Sequence, residues 1–127
     1  MTPRVLVVDD DDGIRRAIAT ALGRSGFDVQ TANDGAPALR LCELTAPDIV
    51  VVDYNMPTAG LAVVRTLKQS HGPSIYVAVL TGDDDPETRE LCRKAGADAV
   101  LIKPITPTEL RRVLTAAALA LGATHAA

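Results

Sequence analysis

Three carboxylates, a hydroxyl and an amine are placed so that they could act together on one phosphoryl group or one divalent cation. They are Asp9, Asp10, Asp53, Thr81 and Lys103, and each closes a short apolar run. Val5-Leu6-Val7-Val8 leads into Asp9-Asp10, and Ile49-Val50-Val51-Val52 leads into Asp53. The run from Ile75 to Leu80 delivers Thr81-Gly82, and Ala99-Val100-Leu101-Ile102 delivers Lys103-Pro104. Uninterrupted apolar runs of this length, too short for helices, read as strands buried on both faces. Singly, each polar residue has an ordinary explanation. Asp53 would cap the turn that Pro57 forces, and Asp9 to Asp12 would be a solvated acidic run with Asp11 or Asp12 as an N-cap. Four strands bringing such groups to one sheet edge is more than capping requires, because ligands of open α/β sheets bind outside the carboxyl ends of the strands.

Three acids packed together repel, and need a cation to stay ionised at neutral pH. Oxygen ligands without a nearby histidine or cysteine favour a hard ion such as Mg²⁺, which keeps several waters and also binds phosphate oxygens. Phosphoryl transfer suits this set, since its catalysis is mostly positioning and charge neutralisation. A carboxylate can act as nucleophile and form an acyl phosphate. The metal would neutralise one phosphoryl oxygen and Lys103 a second, while the Thr81 hydroxyl hydrogen-bonds a third. Gly82 leaves room for the group to approach.

The elements that must position these residues alternate regularly. From Gly13, Ile14, Ala17, Ile18, Ala21 and Leu22 recur at helical spacing until Gly26. Phe27 to Ala32 alternates weakly, as a short, partly exposed strand would. Asn33-Asp34-Gly35 is a turn, and Ala38, Leu39, Cys42 and Leu44 mark a second helix with Pro37 in its first turn. Gly60 precedes a third helix carrying Leu61, Val64 and Leu67, broken at His71-Gly72-Pro73. Asp85 and Pro86 open a fourth helix with Leu91, Cys92 and Ala95 inward, closed by Gly96. Thr106-Pro107-Thr108-Glu109 is a capping box for the last helix, with Leu110, Val113, Leu114, Ala117 and Leu121. Five strands alternating with five helices predict one doubly wound parallel α/β sheet. The domain is expected over residues 1–122, with 123–127 as a frayed tail.

Composition excludes several classes. The formal charge of −3 offers no basic field for nucleic acid, and an aromatic content of 2% offers few rings for stacking bases. No apolar run is long enough to span a bilayer, and no signal peptide is expected ahead of the first strand-like run. Cys42 and Cys92 have no metal-type spacing; buried reduced thiols, and hence a cytoplasmic location, are expected. His71 and His125 receive no role.

The motifs Val7-Val8-Asp9-Asp10, Asp53-Tyr54-Asn55-Met56-Pro57, Leu80-Thr81-Gly82 and Lys103-Pro104, in this order, resemble the response-regulator receiver domain (CheY-like) of two-component signalling, over essentially the whole chain. The resemblance implies a flavodoxin-like fold with strand order 2-1-3-4-5. It makes Asp53 the phosphoacceptor, Asp9 and Asp10 the acidic pair at Mg²⁺ with Asp10 the direct ligand, and the Asn55 main-chain carbonyl a further ligand. Thr81 becomes the switch hydroxyl and Lys103 the phosphate-pairing lysine, followed by a cis Lys103-Pro104 peptide. A histidine kinase or histidine phosphotransfer protein would donate the phosphoryl group. Such a chain is not an enzyme on external substrates; it catalyses only its own phosphorylation and dephosphorylation.

Three positions depart from the family pattern. Thr58-Ala59-Gly60 is one residue short and lacks the acid before the glycine. Val100 stands where an aromatic usually swings inward with the threonine, and Ile105 stands where phenylalanine is common. Two other readings follow from the same residues. A Mg²⁺-dependent phosphohydrolase with an aspartyl nucleophile would carry a second acid two residues on, where this chain has Asn55. A receiver-like interaction module that ignores phosphorylation would fit the lost aromatic but not the intact acids.

Overall fold

The computed structural model describes residues 2–56 and 60–125, with side chains to residue 122. Pro57, Thr58 and Ala59, where the sequence places the strand exit and the shortened loop, lie outside the described residues.

The chain alternates strand and helix throughout. The order is β1 (Arg4–Val8), α1 (Asp12–Arg24), β2 (Asp28–Ala32), α2 (Gly35–Leu44), β3 (Ile49–Asp53), α3 (Gly60–His71), β4 (Tyr76–Thr81), α4 (Pro86–Ala95), β5 (Ala99–Ile102) and α5 (Pro107–His125). A single 3-10 turn at Gly72–Ser74 joins α3 to β4, where His71-Gly72-Pro73 breaks the helical pattern. All strand pairs are parallel, and the sheet order is β2-β1-β3-β4-β5, as the resemblance implies. The order reverses between β1 and β3, so the crevice at a topological switch point opens between Asp9-Asp10 and Asp53.

Side-chain alternation along the strands divides the core into two layers. Leu6, Val8, Val50, Val52, Val77 and Val79 face α2, α3 and α4. Val5, Val7, Ile49, Val51, Ala78 and Leu80 face α1 and α5. Both faces of the central strands are therefore covered, which is why their sequences are unbroken apolar runs.

The caps follow the sequence. Asp11 is the N-cap of α1 and accepts from the Ile14 N–H at 2.9 Å; Asp85 caps α4 through the Glu87 N–H at 3.0 Å; Thr106 accepts from the Glu109 N–H at 3.1 Å.

Three readings of apolar faces change. Leu44, at the end of α2, is 82% exposed, because Ala38 and Cys42 carry that helix's contact with the sheet. Leu91 is 40% exposed, since Thr88, Cys92 and Ala95 form the inward stripe of α4 and Leu91 falls on its flank. In α1 only Leu22 is buried, while Ile14 and Ile18 border an open apolar groove of about 530 Å³ shared with Pro104 and Ile105. The last helix runs from Pro107 to His125. Among the described residues, no helix is long and apolar enough to cross a membrane.

Candidate functional site

The acids meet in space as they do in pattern. Asp9, Asp10 and Asp53 each offer a carboxylate oxygen, and these oxygens all lie within 4.8 Å of one another. Asp9 and Asp53 are buried, at 1% and 4% exposure, while Asp10 points into solvent. Asp53 is the last residue of β3, and the preceding Ile49 to Val52 are fully enclosed, so the chain has no freedom to withdraw it.

The Lys103 ammonium lies 2.9 Å from Asp53 Oδ1 and 3.7 Å from Asp9 Oδ2. Its main-chain N–H donates to the Thr81 carbonyl at 2.8 Å, so the ends of β4 and β5 are fastened at the same level. The Lys103-Pro104 peptide is cis, as the resemblance implies. Asn55 lies just beyond Asp53, and its N–H donates to Asp53 Oδ1 at 3.4 Å.

Asp9 is the costly member of the set. Its Oδ1 accepts from the Asp11 N–H at 2.9 Å, but its buried Oδ2 has no hydrogen-bond partner. Burial pushes its carboxyl above the ordinary carboxylate range, and the negative charge of Asp53 adds to the rise; the Asp11 N–H and Lys103 oppose it. A buried oxygen without a hydrogen bond, facing two further carboxylates and only a distant ammonium, is what a hard divalent cation would satisfy. The all-oxygen donor set therefore fits Mg²⁺.

The raised carboxyl has a stability consequence. Folding favours the protonated form of Asp9, so its contribution is most favourable at low pH. That contribution is lost as pH rises from the ordinary carboxylate range through the raised value. At neutral pH the charge is a liability in the cation-free protein. Asp9→Asn is expected to stabilise that state at pH 7 and to narrow the gain near pH 4. Urea unfolding at the two pH values without Mg²⁺ measures this; a variant less stable than the parent at pH 7 would contradict the reading.

Thr81 is fully buried, and its Oγ1 accepts from the Asp83 N–H at 3.0 Å. The Asp83 carboxylate in turn accepts from the Thr88 hydroxyl of α4 at 3.3 Å. Val100 packs, half-buried, against the layer beneath α4. Burial raises the Cys42 thiol to about 11 and moves Cys92 in the same direction, so both remain thiols at neutral pH and stand apart from the site.

Residues 5–115 match the response regulator receiver domain family. The chain is a response regulator receiver domain.

This receiver is 43% identical over 110 residues to the transcriptional regulatory protein PrrA of Mycobacterium leprae, covering 86% of its own length and 47% of that protein. It thus spans about half the length of the curated relatives it matches. The chemotaxis protein CheY4 of Vibrio cholerae superposes on it with a TM-score of 0.87 at 31% identity, over 92% of this chain and 99% of that one. A CheY-like receiver domain protein from Methanospirillum hungatei gives 0.92 at 22% identity, over 98% and 99% of the two chains, a likeness of fold alone.

The receiver brings together the side chains of Asp9, Asp10, Asp53 and Lys103, the acidic pocket that the motifs mark. Three participants were not legible in the sequence. Arg15, Asp83 and Thr88 hold the loops after β1 and β4, and they carry no signal beyond ordinary helix-start composition.

Proposed function

We propose that this receiver takes a phosphoryl group onto Asp53 from a histidine kinase or a histidine phosphotransfer protein. The observation that carries the reading is the Asp53–Lys103 pair beside a buried Asp9 oxygen that has no hydrogen bond. An Asp53 oxygen attacks phosphorus, the phosphorus–nitrogen bond of the donor imidazole breaks, and that nitrogen leaves with the electron pair and takes up a proton. The product is an acyl phosphate. Asp9, Asp10, Asp53 and the Asn55 carbonyl would hold Mg²⁺, which supplies charge neutralisation at a phosphoryl oxygen. Lys103 passes from the carboxylate to a second oxygen, and the Thr81 hydroxyl donates to a third. The phosphorylated aspartate then loses the group to water. Residues 1–122 form the unit that carries this cycle. The half-length match to a transcriptional regulator favours a receiver whose phosphorylation controls transcription through an output module.

Incubation with acetyl phosphate and Mg²⁺ should add one base-labile phosphoryl group, and chelation of Mg²⁺ should suppress it. A protein that stays unmodified with both present would overturn the proposal.

The switch is expected to run through the loop after β4 rather than through β5. Val100 is short and stiff at χ1, so it cannot sweep the arc of an aromatic ring. Thr81 already holds the Asp83 N–H, and Asp83 is tied to the first turns of α4 by a hydroxyl contact long enough to break on a small displacement. Movement of Thr81 toward the phosphoryl group therefore drags or releases Asp83. Adding beryllofluoride, a phosphoryl mimic, should concentrate amide shifts in residues 81–88, with small ones around Val100. Thr88→Val should leave the shifts at 81–83 and remove most of those at 84–88. Large shifts centred on Val100 and α5, with a quiet Gly82 loop, would refute this route.

A further inference from the structure

We infer that Arg15 is the positioning residue of the cation site: its guanidinium straps the loop from Asp9 to Asp12 and thereby aims the Asp10 carboxylate. The inference rests on the reading that the three acids bind Mg²⁺. Arg15 lies in the first turns of α1 and reaches back over its own N-terminus. Its Nη1 donates to the Asp9 carbonyl at 2.8 Å and its Nη2 to Asp12 Oδ1 at 2.5 Å. The side chain is 13% exposed, so the fork is held by packing as well as by its acceptors.

Asp10 needs such help. Its neighbours are fixed: Asp9 is buried with Oδ1 on the Asp11 N–H, and Asp11 is locked as the N-cap of α1. The Asp10 side chain is exposed and makes no hydrogen bond among the described residues. No hydrogen bond of its own fixes its direction, which leaves its backbone as the anchor. The Asp9 carbonyl belongs to the planar peptide that joins Asp9 to Asp10. Holding that oxygen fixes the tilt of the peptide plane, and with it the position of the Asp10 Cα from which the side chain projects. A guanidinium can hold two acceptors in one rigid plane, whereas an ammonium is a single freely turning point.

Electrostatics alone predicts the opposite sign, which makes the inference testable. Arg15 is a cation near the site, and removing it should tighten Mg²⁺ binding if charge were its whole effect. As a strap, its removal weakens binding, because ligand-orienting partners outside the coordination sphere affect metal affinity strongly.

The chain has no tryptophan, so Mg²⁺ titration of the full chain is followed by amide NMR. In Arg15→Met the dissociation constant should rise roughly tenfold, the low end for such partners. In Arg15→Lys, which keeps the charge and the stem, it should rise nearly as much. The Asp10 and Asp11 amides of both variants should exchange faster without metal, while β4 amides stay as protected as in the parent. Should Arg15→Met fail to fold, Arg15→Lys still decides. Unchanged or tighter Mg²⁺ binding in the Lys variant would overturn the strap. If the parent shows no saturable response, the metal reading falls and the strap with it. If Asp10→Ala loses affinity and the Arg15 variants do not, the strap alone falls.

Discussion

Asp53→Asn should abolish phosphorylation: incubated with acetyl phosphate and Mg²⁺, the variant should remain at its unmodified mass while the parent gains one base-labile group. The loss is expected to be complete because the amide supplies neither the anionic nucleophile nor the third negative charge of the acidic set. Asp9 cannot substitute. Its reactive form is disfavoured by burial, and its Oδ1 is committed to the Asp11 N–H. Asp10 is exposed and belongs to the end of β1 rather than to the enclosed end of β3. The variant should nonetheless fold, since Asn keeps an oxygen for the Lys103 ammonium, now 2.9 Å from Asp53 Oδ1. Full labelling of Asp53→Asn, on a fold shown intact by its amide spectrum, would sink the assignment of the phosphoacceptor.

Gly60→Ala should be the most damaging single-methyl change near the site. A Cβ at Gly60 would sit 2.4 Å from the Asp53 carbonyl oxygen, and 3.3 Å from both the Asp53 carbonyl carbon and Tyr54 Cα. These are backbone atoms at the end of a fully enclosed strand, so no side-chain rotation relieves the overlap. Either α3 slides outward or Asp53 is displaced. The expected cost is about 2 kcal/mol or more, the upper part of the range for overpacking. It should appear as a lower urea midpoint with little change in slope. Because the strain falls on the residue that carries the proposed phosphoacceptor carboxylate, the labelling rate should drop as well. Gly82→Ala is the control. Nothing lies within 4 Å of the added Cβ there, and the expected change in stability is below about 0.5 kcal/mol. Equal midpoints for the two variants would show that α3 is freer to move than its contact with β3 indicates.

The sequence alone determined the order of elements and the place of the acidic pocket. Both follow from local rules. A strand covered on both faces must be apolar throughout, so Val5 to Val8 and Ile49 to Val52 announce buried strands, and the first polar residue after each marks the edge where a ligand can sit. Capping is equally local, and Asp85 and Thr106 act where their spacing to proline and glutamate places them. The motif set, read together, also carried the family.

What tertiary structure decided is which of several equivalent residues does what. Asp9 and Asp10 are adjacent and chemically identical, yet one is buried with an oxygen that has no hydrogen bond and the other is solvated. The difference is the direction each side chain takes from the end of β1, and what β3 and Lys103 put in its way. Leu44 and Leu91 satisfy helical spacing but face outward, because the sheet reaches only the stripes formed by Ala38 and Cys42 and by Thr88, Cys92 and Ala95. Arg15 on the Asp9 carbonyl and Asp83 between Thr81 and Thr88 depend on where loops bring atoms within about 3 Å. Periodicity records which way a residue faces along its own element; it holds no information about the distance to a group on another, and hydrogen bonds and buried charges are decided by that distance.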